Sequence, residues 1–238
     1  MLAALTHVLM KTGMKLPAVL LSLLLLGSHA AAQVVGFNFM EDYNSTDVNF
    51  GLGAASDDAG HTFWNRVGQS NGAHPQDRAT MFTSDGTTAT DIRFSFSNDS
   101  YGTGGSHDFS DALFRGYYYS WGAFAPFTIG GLTAGQTYDF YFYSETGTAG
   151  QDWAADFTLD GNVQHLTAVQ TTSFVQGDNY VMFTLTPTGT SLSGGFQVTG
   201  SSGVAVLSGA QVAVNPSAIP EPSTYATICG ALALVGVV

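Results

Sequence analysis

The stretch Asp91-Ile92-Arg93-Phe94-Ser95-Phe96-Ser97 decides the fold. In an extended chain Ile92, Phe94 and Phe96 fall on one side and Asp91, Arg93, Ser95 and Ser97 on the other, the period of a half-buried strand. Upstream, Val35, Phe37 and Phe39 alternate with Gly36 and Asn38 in the same way. Downstream, residues 131–137 (GLTAGQT) have turn chemistry and feed residues 138–143 (YDFYFY), a long aromatic strand. Further strands are expected at 155–159, 163–169, 180–186, 195–198 and 204–214. Asp160-Gly161-Asn162 and Gln176-Gly177-Asp178-Asn179 have the composition of hairpin connections. One helical turn fits within 109–119, and 41–60 reads as a long polar loop. Many short strands with turns at roughly ten-residue spacing predict an all-β body, an antiparallel β-sandwich or jelly roll.

Both chain ends differ from this body. Lys11 and Lys15 precede the apolar run 16–26 (LPAVLLSLLLL) and the small residues Ala30, Ala31 and Ala32. That order of basic flank, apolar run and Ala-x-Ala step predicts a signal helix over 1–32, cut after Ala32 or after Ala30. Met14 offers a second start. Removing 1–32 takes both lysines and leaves four arginines against 18 acidic residues, a net charge of −14. A chain so acidic repels nucleic acid and anionic lipid, so neither is an expected partner. The single cysteine, Cys229, lies in the C-terminal apolar run, so the body over 33–217, about 185 residues, is stabilised by packing without disulfides.

Few residues suggest chemistry. Gly68-Gln69-Ser70-Asn71-Gly72 matches G-x-S-x-G, but no strand-to-helix pattern surrounds it, and Ala73-His74-Pro75 is a poor helix start. His61, His74, His107 and His165 lack transition-metal spacing. Asp57, Asp58, Asp85 and Asp91 are oxygen donors of the kind calcium takes, although no EF-hand loop is present; no other cofactor is expected. Acidic residues are numerous enough that some pair will stand at the separation glycoside hydrolysis needs, and no motif selects one. Aromatic residues are the richer signal. Trp64, the run Tyr117-Tyr118-Tyr119, Trp121 and Trp153 are rings on which sugar C–H faces could stack or which could fill the core. The three tryptophans are the candidate carbohydrate platform, and consecutive tyrosines in a strand must divide between its two faces.

At the other end, Pro220-Glu221-Pro222-Ser223-Thr224 precedes Tyr225 and the small apolar run 226–238. The prolines keep the chain extended, Ser223 and Thr224 can cap a helix, and Tyr225 stands where an interfacial ring would anchor. These residues resemble the PEP-CTERM sorting signal of Gram-negative bacteria, and the region 218–238 is assigned to it. The resemblance implies recognition of Pro220, Glu221 and Pro222 by an exosortase-like membrane protease. It also implies transient anchoring by the tail and final release to the cell surface or extracellular matrix, commonly alongside exopolysaccharide and biofilm production. The family's tail closes with arginines. Here it stops at Val238, 14 residues from Tyr225, or about 21 Å of helix, so an atypical or truncated anchor is expected. The body is similar to galactose-binding-like jelly-roll domains at residues 131–140 and 63–68, a resemblance that carries no ligand residues with it. The expectation is a non-enzymatic exported module, structural or polysaccharide-binding; the alternative is a glycan-active hydrolase or lyase using loop carboxylates.

Overall fold

The computed structural model describes residues 33–39, 53–55, 63–67, 80–96, 101–103, 111–114, 116–145 and 150–215. All lie within one unit, Ala31–Asn215. The signal segment, the Pro220–Pro222 signal, Ser70, Asp57, Asp58, His61, His74 and His107 fall outside the described residues.

Two five-stranded sheets form the body. The first runs β12 (Tyr180–Leu185), β9 (Tyr138–Tyr143), β15 (Gly209–Val214), β1 (Val34–Phe39) and β2 (Trp64–Val67). Its pairs are antiparallel except β1 with β2, which run parallel. The second runs β11 (Asn162–Leu166), β10 (Ala155–Leu159), β13 (Ser191–Val198), β8 (Ala125–Gly130) and β5 (Arg93–Phe96), all antiparallel. A three-stranded sheet, β14 (Val204–Leu207), β7 (Gly116–Trp121) and β6 (Tyr101–Thr103), flanks them. A short pair, β3 (Met81–Phe82) and β4 (Ala89–Thr90), completes the described strands, and Asp111–Phe114 makes one helical turn, α1.

The alternation read from the sequence is the reason two sheets face each other. Phe37 and Phe39 from β1 and Phe142 from β9 point inward and meet Phe94 and Phe96 from β5, Phe127 from β8 and Phe157 from β10. Phe142 and Phe157 stack across the gap at 5.8 Å between centroids, with their planes 8° apart. Such offset ring pairs add about 0.5–1.5 kcal/mol each beyond their buried area. Along one side, Gln164 Nε2 of β11 donates to Met182 O of β12 at 2.5 Å, tying the second sheet to the first.

Local chemistry explains the connections. Asp160 and Gly161, at φ 50° and 77°, form the two-residue loop between the paired Leu159 and Asn162, as the Asp-Gly sequence predicts. The second expected hairpin is corrected. Residues 167–179 join β11 to β12, which belong to different sheets, so 176–179 close a corner that carries the chain across the sandwich. Asn179, fully buried, holds that corner by accepting from Val175 N at 2.9 Å and donating to Ser173 O at 3.0 Å. The helical turn expected within 109–119 closes at Phe114, and Tyr117, Tyr118 and Tyr119 lie in β7. The single strand expected over 204–214 is two strands: at Ser208 the chain leaves its pairing with β7 and joins β9 and β1.

The outer face of the first sheet is covered. Tyr143 is wholly buried there and donates to Gln211 Oε1, while Ala54 N donates to the Tyr143 hydroxyl at 2.8 Å. Burial pushes the Tyr143 phenol well above its ordinary range, so it stays a neutral donor. Asn38 Nδ2 reaches Leu113 O of α1 at 3.1 Å, docking that turn on the same face.

Candidate functional site

Strand β7 organises the site. Its alternation turns Tyr118 into the core, where it stacks on Phe96 at 3.9 Å and meets Phe196 at 5.8 Å. Tyr117, Tyr119 and Trp121 turn to the other face. Tyr117 and Tyr119 are half-buried, and Trp121 is 70% exposed. Trp153, half-buried and packed at the core's edge, reaches the same row from the segment before β10. Trp153 to Tyr117 is 5.8 Å between ring centroids, Tyr117 to Tyr119 is 6.3 Å, and Tyr119 to Trp121 is 6.0 Å.

Successive planes in this row cross at 72°, 74° and 83°. Edge-to-face packing holds each ring against its neighbour, so the row is rigid, and it alternates ring faces with ring edges. From Tyr117 to Trp121 the strand advances about 13 Å, roughly two or three hexose units. Opposite Tyr119 and Trp121 on β14 stand Val206 and Val204, both buried. The row is therefore an aromatic ridge flanked by aliphatic side chains.

A carboxylate fixes the residue that carries Trp153. Asp152 accepts from Ser201 N at 2.7 Å, Ser201 Oγ at 3.1 Å and Ala154 N at 3.3 Å. The Ser201 backbone bond, the largest influence, and then the Ala154 bond lower the Asp152 carboxyl below its usual range. Gly200 packs so closely that a Cβ there would stand 2.4 Å from Asp152 O. Asp152 is thereby a positioning group for the ridge, with its oxygens occupied.

The sequence candidates sort as follows. Trp121 and Trp153 share the ridge. Trp64 does not, a correction with a clear cause: β2 inserts beside β1 and seats Trp64 under α1, against Tyr143 at 5.9 Å, with 1% of its surface exposed. Tyr117 and Tyr119, members of the tyrosine run, supply the links between the two tryptophans. Of the candidate calcium donors, Asp91 is exposed. Asp85 is committed to its own turn, accepting from Thr83 Oγ1, Thr87 N, Thr88 N and Thr88 Oγ1. Those bonds, the Thr88 hydroxyl's first, hold the Asp85 carboxyl far below the usual carboxylate range. Among the described residues no three His, Cys, Asp or Glu side chains gather as metal ligands do.

No protein-family model matches the chain, and no curated protein matches it. Solved structures do. A Bacteroides uniformis β-glucuronidase matches over 75% of this chain and 18% of its own, at 11% identity and TM-score 0.45. An exo-β-1,3-galactanase from Phanerochaete chrysosporium, with galactose, matches over 51% of this chain and 27% of its own, at 16% identity and TM-score 0.30. The F5/8 type C domain of a Bacteroides fragilis protein matches over 52% of this chain and 92% of its own, at 9% identity and TM-score 0.28. The chain thus spans less than a fifth of the β-glucuronidase's length. The expectation of a non-enzymatic chain is set aside in the face of these matches, which include a β-glucuronidase and an exo-β-1,3-galactanase; at such low identity they assign this chain no activity. No residue role passes to this chain from any of them.

Proposed function

We propose that this β-sandwich works on carbohydrate and holds a glycan chain along the ridge formed by Trp153, Tyr117, Tyr119 and Trp121. The observation that carries this reading is the ridge itself: three half-buried rings and a tryptophan 70% exposed in an unbroken row, three of them on a strand whose other face is core. Large rings left at a surface by a rigid strand are costly to solubility and mark an interaction site. Their apolar faces suit sugar C–H groups, and the phenol hydroxyls of Tyr117 and Tyr119 suit sugar hydroxyls. Alternating faces and edges do not make a flat plane, so the ridge suits a single twisted chain better than a crystalline surface. The excess of acidic residues favours a neutral glycan over a uronate polymer.

Titrating the chain with soluble neutral oligosaccharides tests the reading. Trp121→Ala is expected to weaken binding by tenfold or more, about 1.4 kcal/mol, while its melting temperature stays within a degree or two of the parent. Unchanged affinity in Trp121→Ala would remove the ridge from consideration. Release of reducing ends during the same titration would establish turnover.

We propose further that residues 1–32 export the chain and that Pro220, Glu221 and Pro222 mark it for an exosortase-like protease, leaving it at the cell surface or in the matrix. The support is the order of residues at both ends: basic flank, apolar run and small-residue step in front, Pro-Glu-Pro before an apolar run behind. Fractionation of the producing cells is expected to find the protein outside the inner membrane and shortened at both ends. Full-length protein in the cytosol would end this part of the reading.

A further inference from the structure

We infer that the glycan path does not end at Trp121 but turns the corner onto the outer face of the second sheet, where Phe124, Gln197, Asp156 and His165 form a second subsite for the same chain. The inference rests on the ridge reading and extends it.

Strand pairing places these side chains in one line. His165 lies opposite Asp156, Asp156 opposite Gln197, and Gln197 and Phe124 follow directly on the pair Phe196 and Ala125. At about 4.8 Å between strands the line is about 14 Å long, again the scale of a short oligosaccharide. His165 Nδ1 and Asp156 Oδ1 are 2.8 Å apart, with 55% and 43% of their side chains exposed. Gln197 is exposed, and Phe124 is 46% exposed.

The ring is built into the face. Gly194 and Gly195 both lack a side chain, for opposite reasons. A Cβ on Gly194 would meet Phe127 in the core at 2.5 Å, and one on Gly195 would stand 2.2 Å from Phe124 Cζ outside it. The Cζ–Cε1 end of Phe124 therefore lies over bare backbone, in line with an amide, a carboxylate and an imidazole on the next three strands. A ring for C–H faces next to planar groups that accept and donate hydrogen bonds is the chemistry that grips a sugar.

Continuity with the ridge names the occupant. Trp121 and Phe124 bracket Gly122 and Ala123, and all four are exposed. Gly122 at φ 71° makes the turn, and Ser120 Oγ donates to Ala123 O to fix it. A chain leaving Trp121 thus meets Phe124 next, and affinity should rise with chain length beyond what the ridge alone can contact.

The test is a length series, from disaccharide to hexasaccharide and the intact polymer, of a neutral glycan that the full chain binds. Phe124→Ala and Gln197→Ala are each expected to weaken binding of the hexasaccharide and polymer on the order of tenfold while leaving the disaccharide unchanged. Trp121→Ala should weaken all lengths. Gln197 is exposed, so its loss does not disturb the sheet and serves as the control for local unfolding around Phe124. If Trp121→Ala weakens binding and neither Phe124→Ala nor Gln197→Ala alters the length dependence, the second subsite is wrong and the ridge stands. If Trp121→Ala has no effect on any length, the ridge itself fails.

Discussion

Alanine at Gly131 is expected to destabilise the sandwich by about 3–5 kcal/mol, a large share of the roughly 5–15 kcal/mol that holds a typical domain folded. Gly131 follows β8 at φ 74°, a conformation in which an L-residue costs about 1–2 kcal/mol. Its surroundings add more. A Cβ there would stand 1.9 Å from Asp91 O and 2.3 Å from Asp91 C, both backbone, so no side chain can swing aside to relieve the overlap. The loop cannot retreat either: Leu132 N donates to Thr190 O at 3.0 Å and Thr133 N to the Tyr138 hydroxyl at 3.0 Å. Gly135, four residues on at φ 80°, has nothing within 4 Å of its would-be Cβ. Gly135→Ala should therefore cost only the conformational part, about 1–2 kcal/mol. Urea unfolding of the two variants measures the difference directly. Equal destabilisation would mean that the approach to Asp91 contributes nothing.

Gly131 was visible in the sequence as turn chemistry, and much of the sandwich was visible for the same reason: its outward positions are polar. Ile92, Phe94 and Phe96 alternate with charged and hydroxyl residues, so period two stands out. Strand β7 hid because both of its faces are aromatic. Tyr118 goes to the core and Tyr117 and Tyr119 go outward, and the strand's one polar side chain, Ser120, lies on the inward side, so polarity does not mark the faces. Strand β8 hid behind Pro126, which reads as a strand breaker. Pro126 lies one position before Phe127, the first residue of β8 that pairs with β5, so its missing N–H leaves that neighbour's ladder intact. The division of 204–214 at Ser208 was invisible because alternation reports faces, not partners.

The site was half legible, and the cause lies in strand pairing. Residue type alone picked out the three tryptophans, but exposure depends on which strand each joins. Trp64 enters parallel to β1 and is covered by α1, whereas Trp121 ends a strand of a small flanking sheet and stays open. Phe124 was missed because its role depends on Gly195, 71 residues away in sequence, which leaves the bare backbone beneath the ring.

Phe142→Ala should cost about 3–5 kcal/mol, the second large effect expected of a single change. Phe142 contacts rings from both sheets: Phe127 at 5.2 Å, Phe157 at 5.8 Å, Phe94 at 6.4 Å and, within its own sheet, Phe183 at 5.8 Å. It is wholly buried, so truncation opens a cavity where the two layers meet, and rigid rings collapse poorly into such a space. Phe142→Leu should cost less than Phe142→Ala, because most of the volume is kept while the ring contacts are lost. Phe183 makes a useful comparison. Its residual exposure of 3% and its place on the edge strand β12 let neighbours shift, so Phe183→Ala should cost less than Phe142→Ala. Chemical denaturation with a constant m-value gives the ordering. A Phe142→Ala loss below about 1.5 kcal/mol, half or less of what a buried phenylalanine normally costs, would mean that the two sheets do not depend on this ring for their contact.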